Sequence, residues 1–318
     1  MAKEAYYCTV KELNKLGRDA IPVQLRSNTH LIYSSPATLA FNSPGAEGFG
    51  VKRAGLAVPD SIMLIVAPGC CGRNTSLISS MREYDNRFFY LMMDETDIVT
   101  GRHLKKIPKA VEEICNCCEK RPSVVMICIT CVDALLGTDM ERVCRKAEER
   151  AGLPVRPCYM YALTREGRKP PMVHVRQSLY SLLEPKKKKG NVVNLLGFFS
   201  PLIDECELYD LLHSAGVKTI HEISRCKDYE EYQTMSEANF NLVLHPEARF
   251  AAEDFHNRLQ IPFIELRRLY QTDKIASQYQ AFGKVLGVTF SDEVYREKAE
   301  EIVAKFKEKR PDASFAIG

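Results

Sequence analysis

The chain has no tryptophan, and its charge is nearly balanced. Across 318 residues, 44 Lys and Arg stand against 41 Asp and Glu, a net charge of +3. That balance lacks the basic excess of a nucleic-acid-binding surface. No apolar run reaches the roughly 20 residues that cross a bilayer, and the opening Met1-Ala-Lys-Glu-Ala-Tyr-Tyr-Cys8 has no signal-peptide core. Neither nucleic acid nor membrane is an expected partner, and the expected compartment is the cytoplasm. There is no Walker A sequence, and Gly48-Phe-Gly50 lacks the third glycine of a dinucleotide fingerprint. No solenoid repeat, Ser-His-acid order or pair of facing carboxylates stands out. Lys186–Lys189, between Pro185 and Gly190, reads as a solvated linker.

Cysteine is what the chain does have. Twelve cysteines without a secretory leader argue against a disulfide framework and towards thiol, metal or cluster chemistry. Most of them are expected to be small core residues. Cys115 and Cys118 lie on or beside the apolar stripe of a helix, which favours packing over metal binding. Cys128 forms Cys-x-x-Cys with Cys131, a spacing shared with zinc sites and redox dithiols, but it sits inside an apolar strand.

The pattern alternates strands and helices. Strands are expected at 61–67, 88–93, 123–129 and 153–161, with helices at 102–120 and from Thr138 to Gly152. Thr138-Asp-Met-Glu141 reads as a capping box. After the lysine run, strands at 192–196, 217–220, 240–244 and 261–266 alternate with helices at 203–214, 227–238 and 247–259, and helices at 273–286 and 291–309 follow. Residues 1–60 are loosely patterned. The expectation is an α/β protein of two Rossmann-like domains, parallel sheets flanked by helices, spanning 1–187 and 188–318.

Two of these strands end in cysteine turns. The apolar run Leu64-Ile65-Val66 stops at Ala67-Pro68-Gly69-Cys70-Cys71-Gly72, and the strand ending at Ile129 continues into Thr130-Cys131. Parallel α/β sheets place their sites at the carboxyl ends of strands. A thiolate there meets loop N–H groups and helix N-termini, which favour negative charge. One cysteine of the first turn, Cys70 or Cys71, and Cys131 of the second therefore read as ligands for a soft metal or an iron–sulfur cluster. His245 and His256 are left open between a pocket role and a surface or capping role. His103 and His174 read as surface histidines.

Together these residues resemble the nitrogenase component 1 family of oxidoreductases. Ala67–Gly72 is similar to its Gly-Pro-x-Gly-Cys turn. Glu95-Thr96-Asp97-Ile98-Val99-Thr100-Gly101 is similar to its Glu-x-Asp-Ile-Val-x-Gly. Thr130-Cys131 with Gly137-Thr138-Asp139-Met140-Glu141 resembles its third cysteine turn. The resemblance runs from about residue 42 to the end. It implies an oxidoreductase in which Cys71 and Cys131 hold the cluster, fed by an ATP-dependent iron protein that docks near Glu95, Asp97 and Gly101. The family's first cysteine falls where this chain has Asn42, Ser43, Pro44, Gly45 and Ala46. Two thiolates per chain then imply a [4Fe–4S] cluster shared by a homodimer, or by a heterodimer with a related chain. The implied activity is anaerobic reduction of a small molecule or tetrapyrrole. The alternatives are a non-catalytic scaffold for metallocluster or cofactor assembly, and a member that only binds a ligand or partner. The family's third domain is expected to be absent, or truncated after residue 318.

Overall fold

The computed structural model describes Lys15 and residues 44–69, 84–130, 132–133, 136–160 and 169–312. These residues divide between two compact units, one within Pro36–Arg268 and one from Leu269 onward. The first holds two four-stranded sheets, in which every pairing is parallel.

The first sheet consists of β1 (Ile62–Ala67), β2 (Phe88–Met92), β3 (Val125–Ile129) and β4 (Val155–Tyr159), in the order β2-β1-β3-β4. The second consists of β5 (Val192–Leu196), β6 (Thr219–His221), β7 (Phe240–Val243) and β8 (Phe263–Glu265), in the order β6-β5-β7-β8. β1, β3 and β5 are buried at every position. Helices cover both faces of such strands, so they read as unbroken apolar runs. The edge strand β2 buries only Phe88 and then alternates between partly buried and exposed positions. Pro157 lies in β4, at the opposite edge, where a missing donor is tolerated.

Helix α1 (Pro44–Gly55) precedes the first sheet, and α2 (Glu95–Thr100) and α3 (His103–Cys117) cross from β2 to β3. Ile107, Val111 and Cys115 give α3 its buried stripe, at the spacing expected from the sequence. Helix α4 (Met140–Ala151) ends at Gly152, also as expected, in the left-handed conformation. Its cap differs from the expected box by one residue. Asp139 is the N-cap and accepts the Arg142 N–H at 3.0 Å, whereas the Thr138 hydroxyl donates to Asp133 Oδ1 at 3.1 Å. Thr138 is drawn off by a buried carboxylate that no local pattern could reveal.

Helix α5 (Pro171–Tyr180) lies between the sheets and was not anticipated, nor were α1 and α2. Pro171, Val173, Val175, Arg176, Leu179 and Tyr180 are buried, and the arginine among them interrupts the apolar stripe that would mark α5 as helical. The second sheet carries α6 (Glu207–Ser214), α7 (Tyr229–Gln233) and α8 (Arg249–Leu259). The helix expected over 227–238 breaks at Thr234 into a 3-10 turn, Thr234–Glu237. One core joins Met63, Met126 and Cys158 of the first sheet to Leu196 and Val243 of the second, and to Phe255 of α8, through Val175 and Leu179 of α5.

In the other unit, α9 (Thr272–Leu286) and α10 (Glu293–Lys309) form a hairpin. The Phe282 and Phe290 rings stand 5.4 Å apart, and the Thr272 hydroxyl reaches Glu300 at 3.2 Å. No described helix is long and apolar enough to cross a membrane.

Candidate functional site

Both sheets have the same strand order, and so the same reversal of direction. The chain leaves β1 towards β2 on one side, then returns to β3 on the other. The crevice between the carboxyl ends of β1 and β3 is therefore a topological switch point, where open α/β sheets hold ligands. Val66 pairs with Ile129, which brings the two exits level in adjacent strands. The next residues along those exits are Pro68-Gly69-Cys70-Cys71 and Thr130-Cys131. Cys70, Cys71 and Cys131 themselves lie outside the described residues. No group of three or more metal-binding side chains occurs among the described residues.

The third side of this edge is built by Glu95–Gly101. Asp94 is the N-cap of α2 and accepts the Asp97 N–H at 2.7 Å, a contact worth about 1 kcal/mol in a typical helix. Gly101 closes α2 at φ +64°, the left-handed region, where a side chain costs roughly 1–2 kcal/mol. Asp97 is only 1% exposed and is gripped from two sides. Lys106 donates to Oδ2 at 2.7 Å and Arg102 to Oδ1 at 2.8 Å. These cations, Lys106 first, hold its carboxyl down to about 2. Of the three residues assigned to docking, Glu95 is open to solvent, Asp97 is the anchor of the α2–α3 corner, and Gly101 shapes the turn.

The depressed Asp97 carboxyl has a consequence for acid stability. An unfolded aspartate titrates near ~3.9, so this ion pair stabilises the fold above that pH and is lost as pH falls through the folded value near 2. Asp97→Asn is expected to melt lower than the parent at neutral pH, with the gap closing between about pH 4 and pH 2. A pH series of melting temperatures checks it, and a gap constant across the series would rule Asp97 out as the source.

His103 corrects the sequence reading, because it is buried, not superficial, with 1% exposure. Nδ1 donates to the Asp97 carbonyl at 3.0 Å, and Nε2 lies 3.0 Å from Oδ1 of Asp133. Asp133 Oδ2 and the hydroxyl of Thr130 are enclosed without hydrogen-bond partners. Sequence patterns missed this group because its members come from two separate crossings. The two orphaned oxygens belong to residues on either side of Cys131 in the chain.

The described cysteines behave as core or surface residues. Cys115 is buried, Cys117 exposed and Cys118 partly buried, packed against the α3–α4 core. Cys128 is fully enclosed in β3, in register with Cys158 of β4. A cleft of about 580 Å³ beside Cys117 opens at the amino edge of the sheet, away from the strand exits. Its cations are already engaged: Lys120 binds Asp60 at 2.7 Å and Arg121 binds the Ala151 carbonyl at 2.6 Å.

The second sheet has its own switch-point crevice, between the exits of β5 and β7. Arg176 of α5, 4% exposed, donates to the Gly197 carbonyl at 2.6 Å and to Glu247 at 2.8 Å, tying the two exits together. Gly197 passes so close to His245 that a Cβ would stand 2.8 Å from its backbone nitrogen, and only glycine fits. His245 is the N-cap of the 3-10 turn Pro246–Ala248, which gives it the capping role among its open alternatives, and His256 lies exposed in the last turn of α8. Nδ1 of His245 accepts the Glu247 N–H at 3.3 Å, which leaves the ring proton on Nε2. Burial, partly offset by Glu247, pulls His245 below its ordinary value, so the ring is neutral at pH 7. Phe198 stands 5.7 Å from this ring, with Arg268 over its own ring at 5.6 Å. His174 packs edge-on against Tyr159 at 5.2 Å and is half-buried.

The family model for nitrogenase component 1 type oxidoreductases matches residues 47–314. The chain belongs to this family. Its relatives include the nitrogenase iron-molybdenum cofactor biosynthesis protein NifE of Rhizobium meliloti (strain 1021), 28% identical over 224 residues, covering 68% of this chain and 47% of that protein. NifE of Sinorhizobium fredii (strain NBRC 101917 / NGR234) is 25% identical over 280 residues, or 86% of this chain and 53% of the relative. The nitrogenase molybdenum-iron protein alpha chain of Methanosarcina barkeri is 24% identical and covers 79% of this chain and 48% of its own length. The chain thus spans about half the length of the curated relatives it matches. The solved structure of nitrogenase Cp1 at pH 6.5 superposes with a TM-score of 0.59 at 17% identity, over 80% of this chain and 60% of that one. The fold is that of nitrogenase component 1, with two parallel, helix-flanked α/β sheets.

Proposed function

We propose that this chain is the iron–sulfur subunit of a nitrogenase-like reductase. The observation that carries the proposal is the β1–β3 register, which sets two cysteine-bearing exits side by side at the switch point of the first sheet. Cys71 and Cys131 would hold the cluster, with Cys70 as an alternate. The donor set fits, since thiolates are the ordinary ligands of iron–sulfur clusters and two chains together supply four. When bound, the cluster supplies one-electron transfer at low potential. The chain's own residues shape its surroundings: Asp97, Lys106 and Arg102 fix the α2–α3 corner, and His103 and Asp133 tie that corner to the β3 exit. The second crevice, with His245, Phe198 and Arg268, is the place for the small molecule or tetrapyrrole to be reduced.

The cognate donor is an ATP-dependent iron protein docked on the α2 edge. Glu95 is its exposed charge there, beside the open side chains of Met92 and Val99, 56% and 84% exposed. Glu95→Lys is expected to weaken donor binding severalfold while iron content stays at the parental level. Unchanged donor affinity for this variant and for Val99→Asp would move the docking surface elsewhere.

A second reading, that the chain is a scaffold for cofactor assembly, is favoured by the relatives named NifE. Anaerobic purification, iron and sulfide analysis and EPR of the reduced protein test the cluster common to both readings; protein free of iron and sulfide overturns both. Turnover separates the two. A reductase keeps its metal while cycling electrons, whereas a scaffold delivers metal to an acceptor protein.

A further inference from the structure

Cys128 and Cys158 stand opposite each other in β3 and β4, paired in parallel register and both fully enclosed. Residues in register project to the same face of a sheet, and on this face they share a core with Val51 and Ala54 of α1. Adjacent strands run about 4.8 Å apart, within the roughly 4.4–6.8 Å that separates the Cα atoms of a disulfide. The strand spacing itself thus admits a bond between the two sulfurs. The fold gives Cys128 a partner that its Cys-x-x-Cys spacing does not indicate.

The pair is roofed by the backbone of α1. Cys158 Sγ lies 3.6 Å from the Val51 carbonyl. A Cβ added at Gly55 would stand 3.2 Å from the same sulfur and 2.5 Å from the Met63 methyl, so glycine lets the helix lie this close. Between Val51 and Gly55 in the chain is Lys52, only 2% exposed. The Cys158 proton has two acceptors in reach, the Val51 carbonyl and the sulfur of Cys128. Its bond to the latter draws Cys128 below its ordinary value, and the positive charge of Lys52 acts in the same sense. Thiolate character is what separates an oxidisable cysteine from an inert one.

We propose that Cys128 and Cys158 form an oxidisable dithiol, closed to a disulfide by hydrogen peroxide, that staples β3 to β4. Peroxide is scarcely larger than water, which suits a site sealed to bulkier oxidants. The Cys128 thiolate attacks one peroxide oxygen, forming a sulfenic acid and releasing hydroxide. The Cys158 sulfur then attacks the Cys128 sulfur, the S–O bond breaks, and the oxygen leaves as water. Two thiols and one hydrogen peroxide thus become one disulfide and two waters. The proposal needs neither bound iron nor a donor protein, and so stands apart from the iron–sulfur reading.

The test uses the full chain, purified without oxygen and freed of iron with a chelator. Accessible thiols are first blocked with iodoacetamide in the folded protein. Hydrogen peroxide is then added, and the protein is unfolded in N-ethylmaleimide and digested. The expected product is a pair of peptides joined through Cys128 and Cys158 and separated by dithiothreitol. The oxidised chain should also melt several degrees higher than the reduced one, because the bond closes β3, α4 and β4 into one covalent loop. In Cys158→Ala the sulfenic acid has no facing thiol to resolve it, so this gain should vanish. Iodoacetamide or maleimide on both Cys128 and Cys158, or Cys128 joined to another cysteine, would overturn the proposal. An undiminished gain in Cys158→Ala would overturn it as well, and the peptide map of the parent decides the matter even where that variant does not fold.

Discussion

Cys71→Ala and Cys131→Ala, each purified without oxygen, are expected to lose essentially all bound iron together with the visible charge-transfer absorbance of the parent. Cys117→Ala is expected to keep both. The contrast isolates position from residue type. Cys117 is exposed at the end of α3, by the amino ends of the strands, and belongs to no group of three or more metal-binding side chains among the described residues. Cys71 and Cys131 follow directly on β1 and β3, whose exits the parallel register holds level. Losing one thiolate of a four-thiolate shell leaves an iron open, so each substitution should act as a near-complete loss. Cys70→Ala separates the alternates, with retained iron assigning the ligand to Cys71. Parental iron and absorbance in both the Cys71 and Cys131 variants would end the assignment.

Much of this was legible in the sequence because parallel sheets write themselves as unbroken apolar runs. Val192–Leu196 was placed to the residue, and β1, β2, β3 and β7 to within one or two. Periodicity gave α3, and Gly152 gave the end of α4. What escaped was written without contrast. α5 carries an arginine within its buried side, and α1 is a glycine-rich segment with little apolar asymmetry. The polar anchors escaped for another reason. His103 meets Asp133 from 30 residues away, and Arg176 meets Glu247 from 71 residues away. No local pattern marks a histidine as buried when its acceptors come from other crossings. The cysteine turns were legible because strand, turn glycine and thiol are contiguous, and the family resemblance added their order.

The last expected result concerns assembly: native mass should give a dimer, holding about four irons per two chains, as one cubane with four thiolates requires. The chain offers two candidate thiolates after adjacent strands, and the stretch where the family keeps another reads Asn42-Ser43-Pro44-Gly45-Ala46. An isologous twofold contact brings the same edge from both copies together, and so doubles the ligand set. One exposed side chain beside the β3 exit is of the kind such a contact covers: Leu136, in the exit loop, is 51% exposed. Charge placed there should therefore separate the chains and release the iron in one step. Leu136→Asp is expected to run as a monomer with little bound iron, whereas Ile302→Asp, exposed on α10, should leave both mass and iron at parental values. A monomer that keeps a full four-iron cluster would show that one chain completes the site by itself.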